Sequence, residues 1–120
     1  MTRVWIAYEP QVFREALVTV IEKLDAIEIV EDTQEGVDVG IFRLAAPGQL
    51  QSYFRFKPLP DAKMIVFSPC GDRAYIRLSN EKKWTEVEPF GVPQLLAEIC
   101  AGRERRASNH AQPEETIIYL

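Results

Sequence analysis

The sequence predicts an α/β domain: a five-stranded, mainly parallel sheet with helices on both faces and one expected helix missing. Three observations lead there. Short apolar runs alternate with amphipathic stretches along the chain, the pattern of a parallel sheet wrapped by helices. Most of the strand-like runs are continuously apolar, as in strands covered on both sides. The chain has 120 residues, 47% of them hydrophobic, enough for one modest core.

Taken in order, Val4-Trp5-Ile6-Ala7 reads as a buried strand that ends at Glu9-Pro10. Pro10 suits the first turn of a helix, where its missing N–H costs nothing. Phe13, Leu17, Val20, Ile21 and Leu24 then recur at helical spacing, with Arg14, Glu15, Glu22 and Lys23 on the other faces. Ile27-Glu28-Ile29-Val30 is a second strand, Asp32 to Gly36 a polar turn, and Val37 to Phe42 a β-branched third strand. Six residues separate Val30 from Val37, too few for a crossover helix. An extended stretch of that length reaches about 20 Å, just enough for a parallel return. The competing arrangement is an antiparallel hairpin of the second and third strands; the spacing of the flanking motifs favours the parallel one.

Ala45-Ala46-Pro47-Gly48 breaks the third strand, and Leu50, Tyr53 and Phe54 fit a short helix. Met64-Ile65-Val66-Phe67 is the fourth strand, Asp72 to Leu78 a candidate short helix, and Trp84 to Glu88 the fifth strand. Val92, Leu95, Leu96 and Ile99 define a last helix closed by Gly102. The domain therefore spans 1–102, followed by a polar tail over 103–120. The tail ends in Thr116-Ile117-Ile118-Tyr119-Leu120, which has strand character and is expected to dock on its own domain or on a partner's.

Composition excludes several functions. Lys and Arg number 14 against 18 Asp and Glu, a formal charge of −4, which is the wrong sign for a nucleic-acid binder. The run Arg103-Glu104-Arg105-Arg106 suits a helix C-terminus better than a phosphate backbone. No apolar run is long enough to span a membrane, and the first residues are too few for a leader. Cys70 and Cys100 form neither a disulfide framework nor a metal-ligand spacing, so a cytoplasmic protein with free thiols is expected, with Cys100 packed. Cys70, in the loop Ser68-Pro69-Cys70-Gly71-Asp72, lacks a general base: the single histidine, His110, lies in the tail. With no glycine-rich phosphate loop and no cluster of metal ligands, neither cofactor nor metal is expected.

Four segments in order resemble the receiver domain of two-component response regulators over about residues 3 to 102. Ala7-Tyr8-Glu9-Pro10 resembles the family's acidic turn, and Val37 to Gly48 its third strand and following loop. Met64 to Ser68 resembles its fourth strand, and Val87-Glu88-Pro89-Phe90 its Lys-Pro-Phe segment. The resemblance implies a flavodoxin-like strand order 2-1-3-4-5, with the site at the carboxyl ends of the strands. It also implies where the family's chemistry is lost. The phosphoacceptor position holds Arg43, the acidic pair is Tyr8-Glu9, and the lysine position holds Glu88. Ser68 matches, and Pro89 is the candidate for a cis peptide bond.

A guanidinium accepts no phosphoryl group and repels Mg²⁺, so phosphotransfer is not expected. The two charges look exchanged, which predicts an Arg43–Glu88 pair with Glu9 as a second acceptor. The family's partner-binding face falls on Tyr75, Trp84, Glu86 and the outer side of the last helix. The expected function is a phosphorylation-independent, non-enzymatic signalling module that acts through protein partners, a homodimer among them. The alternative is a sensor that binds a small anion at Arg43 and Ser68.

Overall fold

The computed structural model describes residues 1–8, 10–44, 59–107 and 114–118. Along the chain run β1 (Thr2–Ile6), α1 (Gln11–Ile21), β2 (Ile27–Ile29), a 3₁₀ turn (Thr33–Glu35), β3 (Val39–Arg43) and β4 (Lys63–Phe67). Then follow β5 (Ala74–Arg77), β6 (Trp84–Glu88), α2 (Val92–Cys100) and β7 (Glu114–Ile118). All seven strands form one sheet in the order β2-β1-β3-β4-β5-β6-β7. The first three contacts, β2–β1, β1–β3 and β3–β4, are parallel, and the last three are antiparallel.

This corrects the expected five-stranded, mainly parallel sheet. Residues 74–77, expected in a helix, form β5, and 114–118 add β7. The reason for β5 lies in its side chains: Ala74 and Ile76 face the main core while Tyr75 packs on the opposite face. That alternation has the period of a strand. The described helices do not flank the sheet. Leu17 and Ile21 of α1 and Leu95 and Ile99 of α2 all join the same core as Ile6, Ile41 and Ile65.

The stretch from β2 to β3 makes no hairpin, because both strands pair with β1 from opposite sides. It lies against β1 instead: Val30 N–H donates to the Val4 carbonyl, and Asp38 N–H to that of Arg3, both at 2.9 Å. A second, smaller core occupies the other sheet face, where Phe42, Met64, Val66 and Trp84 pack with Trp5 and Leu59. Gly40 lies beneath it: a Cβ there would lie 2.9 Å from Leu59 Cδ1, so a larger residue would require that side chain to shift. Arg77, also buried, holds the turn that carries Leu59: its Nη2 donates to the carbonyls of Leu59 (2.9 Å) and Ala62 (3.1 Å). The short helix expected around Leu50, Tyr53 and Phe54 lies outside the described residues, as does His110.

A buried ionic chain ties the last third of the molecule together. Lys63 is 0% exposed, and its Nζ lies 2.6 Å from Glu98 Oε1. The same ammonium donates to the carbonyls of Glu98 (2.8 Å) and Arg105 (2.7 Å). Glu98, 3% exposed, also accepts from Arg106 Nε and Nη2 and from Ala107 N–H. Arg106 Nη2 continues to Glu115 Oε1 of β7 at 2.8 Å. Residues 103–107 and 114–118 are thus bonded to the sheet-and-helix body, with 114–118 docked on the chain's own β6. Burial pushes the Lys63 pKa down, against the hydrogen bond and charge of Glu98. Desolvation pushes Glu98 up, but the hydrogen bonds from Arg106 and Lys63 outweigh it and hold its carboxyl below the usual range.

Removing one member of such a buried pair strands the other charge. Glu98→Gln is expected to lower unfolding stability by about 3–5 kcal/mol in urea titration, and the double change Lys63→Met/Glu98→Leu by less. Because the folded pKa of Glu98 lies below its unfolded value, its stabilisation is full above the unfolded pKa and lost as pH falls through the folded one. The acid limb of the stability–pH curve is therefore steeper in the native chain than in Glu98→Gln.

Candidate functional site

The carboxyl ends of the parallel strands bring the chain's candidate residues to one edge of the sheet, where open α/β sheets bind ligands. β1 ends there at Ile6 and leads into Tyr8, β3 ends in Arg43, and β4 ends at Phe67 beside it in register. The loop 68–73 returns the chain into β5, and β6 ends there in Glu88.

Three arginines hold this rim in different ways. Arg14, on the first turn of α1, donates to the Ile6 carbonyl and pairs with Glu31 at 2.9 Å. Its guanidinium stands 4.6 Å from the centre of the Tyr8 ring, and the Tyr8 hydroxyl donates to the Glu31 carbonyl. Arg73 reaches Glu86 Oε1 at 3.4 Å, Asp72 Oδ1 at 3.7 Å and Glu88 Oε1 at 4.0 Å. Arg43 donates from Nη2 to the Pro69 carbonyl and lies 5.6 Å from the centre of the Phe13 ring. No carboxylate among the described residues comes within ion-pair distance of it.

The predicted Arg43–Glu88 pair is therefore not formed. The reason is the inserted strand: β4 and β5 separate β3 from β6, so the two strand ends stand three spacings, about 14 Å, apart. Arg73, carried in by that insertion, takes Glu88 instead. Glu9, the expected second acceptor, lies outside the described residues. Ser68 is buried and its hydroxyl is committed: it donates to Asp72 Oδ1 at 2.8 Å and accepts from Arg73 N–H at 3.4 Å. That hydrogen bond is the main cause holding the Asp72 carboxyl below its ordinary value. The Glu88–Pro89 peptide is cis, and Phe90 N–H donates to the Asp72 carbonyl at 3.0 Å.

The expected interaction face does not survive as an aromatic surface. Tyr75, Trp84 and Glu86 do share the sheet face away from the helices, but Trp84 is 1% exposed, with the Arg77 guanidinium 5.7 Å from its ring centre. A side chain spent on its own core cannot anchor a partner. Cys100, expected to be packed, is exposed, as is Cys70.

Arg14, Glu31, Asp72 and Arg73 were not singled out from the sequence. The signal for the last two was the loop Ser68 to Arg73 between two apolar runs, obscured by reading 72–78 as helical. No protein-family model, curated protein or solved structure matches the chain, and nothing in these comparisons identifies a receiver domain. Among the described residues no helix is long and apolar enough to cross a membrane, and no three His, Cys, Asp or Glu side chains group to hold a metal ion.

The Ser68 contact is directly testable. In Ser68→Ala the Asp72 carboxyl loses its principal hydrogen bond, so its pKa should rise toward the ordinary aspartate value in an NMR titration.

Proposed function

We propose that the chain is a phosphorylation-independent, cytoplasmic signalling module that acts by contact with protein partners and performs no chemistry of its own. The supporting observation is the state of the rim. Where the resembled family carries a reactive carboxylate, β3 ends in a guanidinium bound to a carbonyl. The neighbouring hydroxyl is occupied by Asp72, and Arg14 and Arg73 are paired with carboxylates of the same chain. Such an arrangement holds a shape and, among the described residues, includes no activated nucleophile or poised acid–base pair. The measurement is incubation with acetyl phosphate and Mg²⁺ followed by intact-mass spectrometry. An unchanged mass is expected; a Mg²⁺-dependent phosphoryl adduct would overturn the reading.

One observation favours a second reading. Arg43 uses one N–H on Pro69 and rests beside Phe13, so other donors of its guanidinium fork remain without a described carboxylate. A small carboxylate or phosphate is the complementary ligand. Thermal unfolding with inorganic phosphate or dicarboxylates tests it: a rise in Tm present in the native chain and absent in Arg43→Ala supports anion binding, and no rise in either removes it.

A further inference from the structure

We infer that β7 is a strap that lifts off β6 as a unit while the rest of the sheet and the described helices stay folded, with the Arg106–Glu115 contact as its clasp. Resting on the reading of the chain as an interaction module, this gives the module two surfaces, one with β7 docked and one with the β6 edge bared.

Packing sets β7 apart from the centre of the sheet. Glu114, Glu115, Thr116 and Ile117 are all exposed, and only Ile118 is partly covered. β3 and β4, by contrast, are buried at every position but Arg43. Among the described residues β7 pairs with β6 alone. Ile118 stands opposite Trp84 and packs at the margin of the smaller core. A strand held mainly by its backbone ladder, with little apolar area beneath it, belongs to the low end of local stability.

The clasp opens without disturbing what lies under it. Toward the interior, Arg106 Nε and Nη2 donate to Glu98 Oε2 at 3.1 and 2.9 Å. Toward β7, Nη2 alone donates to Glu115 Oε1 at 2.8 Å. The Glu98 side chain is 3% exposed and that of Glu115 is 43% exposed. Glu115 therefore passes into water at little cost when β7 leaves, because a partly exposed ion pair contributes little. Glu98 keeps the Lys63 ammonium at 2.6 Å, both bonds from Arg106 and the Ala107 N–H at 3.2 Å. Neither Lys63 nor Glu98 is stranded, so opening avoids the large penalty of breaking a buried pair.

The chain before β7 is anchored independently of it. Ser79 N–H donates to the Arg103 carbonyl at 2.8 Å, Lys63 Nζ to the Arg105 carbonyl at 2.7 Å, and Ala107 N–H to Glu98. The fixed part therefore extends through Ala107, and the part that lifts includes 114–118. Lifting bares the backbone edge of β6 from Trp84 to Glu88 and the side of Trp84 that Ile118 faces, which is 1% exposed while β7 is docked.

The experiment is amide hydrogen exchange of the full chain, resolved by residue with NMR. The amides that bond β6 to β7 should share one protection factor, about a hundredfold or more below those of β3 and β4. Glu115→Gln removes the charge of the clasp at an exposed position. It should speed the shared exchange by about two- to fivefold and leave β3 and β4 unchanged. Three results overturn the proposal: β7 amides as protected as those of β4; protection that grades from one end of β7 to the other with no shared value; or Glu115→Gln that speeds β4 equally or speeds neither. A phosphoryl adduct would instead overturn the proposed function, so the two failures are distinguishable.

Discussion

A lysine ammonium sealed at the foot of β4 has to be met by charge, and much of the chain after residue 97 is placed so as to meet it. Glu98 in the last full turn of α2 supplies the carboxylate, and the carbonyls of Glu98 and Arg105 fill the remaining donor directions of Lys63. Arg106 then bonds the outer side of Glu98 and carries the connection to Glu115. Hydrophobic packing alone would let α2 slide along the sheet, since Leu95 and Ile99 contact it without direction. The ionic chain has direction. It fixes the axial position of α2, brings the backbone of 105–107 across its end, and lays β7 beside β6.

The second organising fact is the change of strand direction at β4. Up to that point the sheet is parallel, with two helices on one face; beyond it, the chain meanders. Inserting β5 moves the end of β6 away from the end of β3 and puts Arg73 where it meets Glu86 and Glu88. The rim is therefore two separate charge groups, one around Arg14 and Glu31 and one around Arg73, with Arg43 between them held by a carbonyl.

Much of this was legible in the sequence, and the rest was not, for reasons that can be named. The strands at 4–7, 27–30, 37–42, 64–67 and 84–88 and the helices around Leu17 and Leu95 announce themselves through local periodicity, and the structure places elements at each. β5 was missed because four alternating residues in a half-apolar stretch fit either period. That single miss propagated, because which charges meet at a strand end depends on strand order, and strand order is a long-range property. The pairing of Lys63 with Glu98 was invisible for the same reason: thirty-five positions apart, each looks like an ordinary solvated charge at the margin of an apolar run. Trp84 shows the converse error, in which a residue type common at interfaces is used by the chain's own core.

The two halves of the sheet also differ in how far apart in the chain their neighbours lie. β4, β5 and β6 are joined by connections of six residues each, whereas every parallel contact requires the chain to return from one end of the sheet to the other. Closing short loops costs the least chain entropy, so the meander holds its strands together at a lower entropic cost than the parallel half that bears Arg43 and Tyr8.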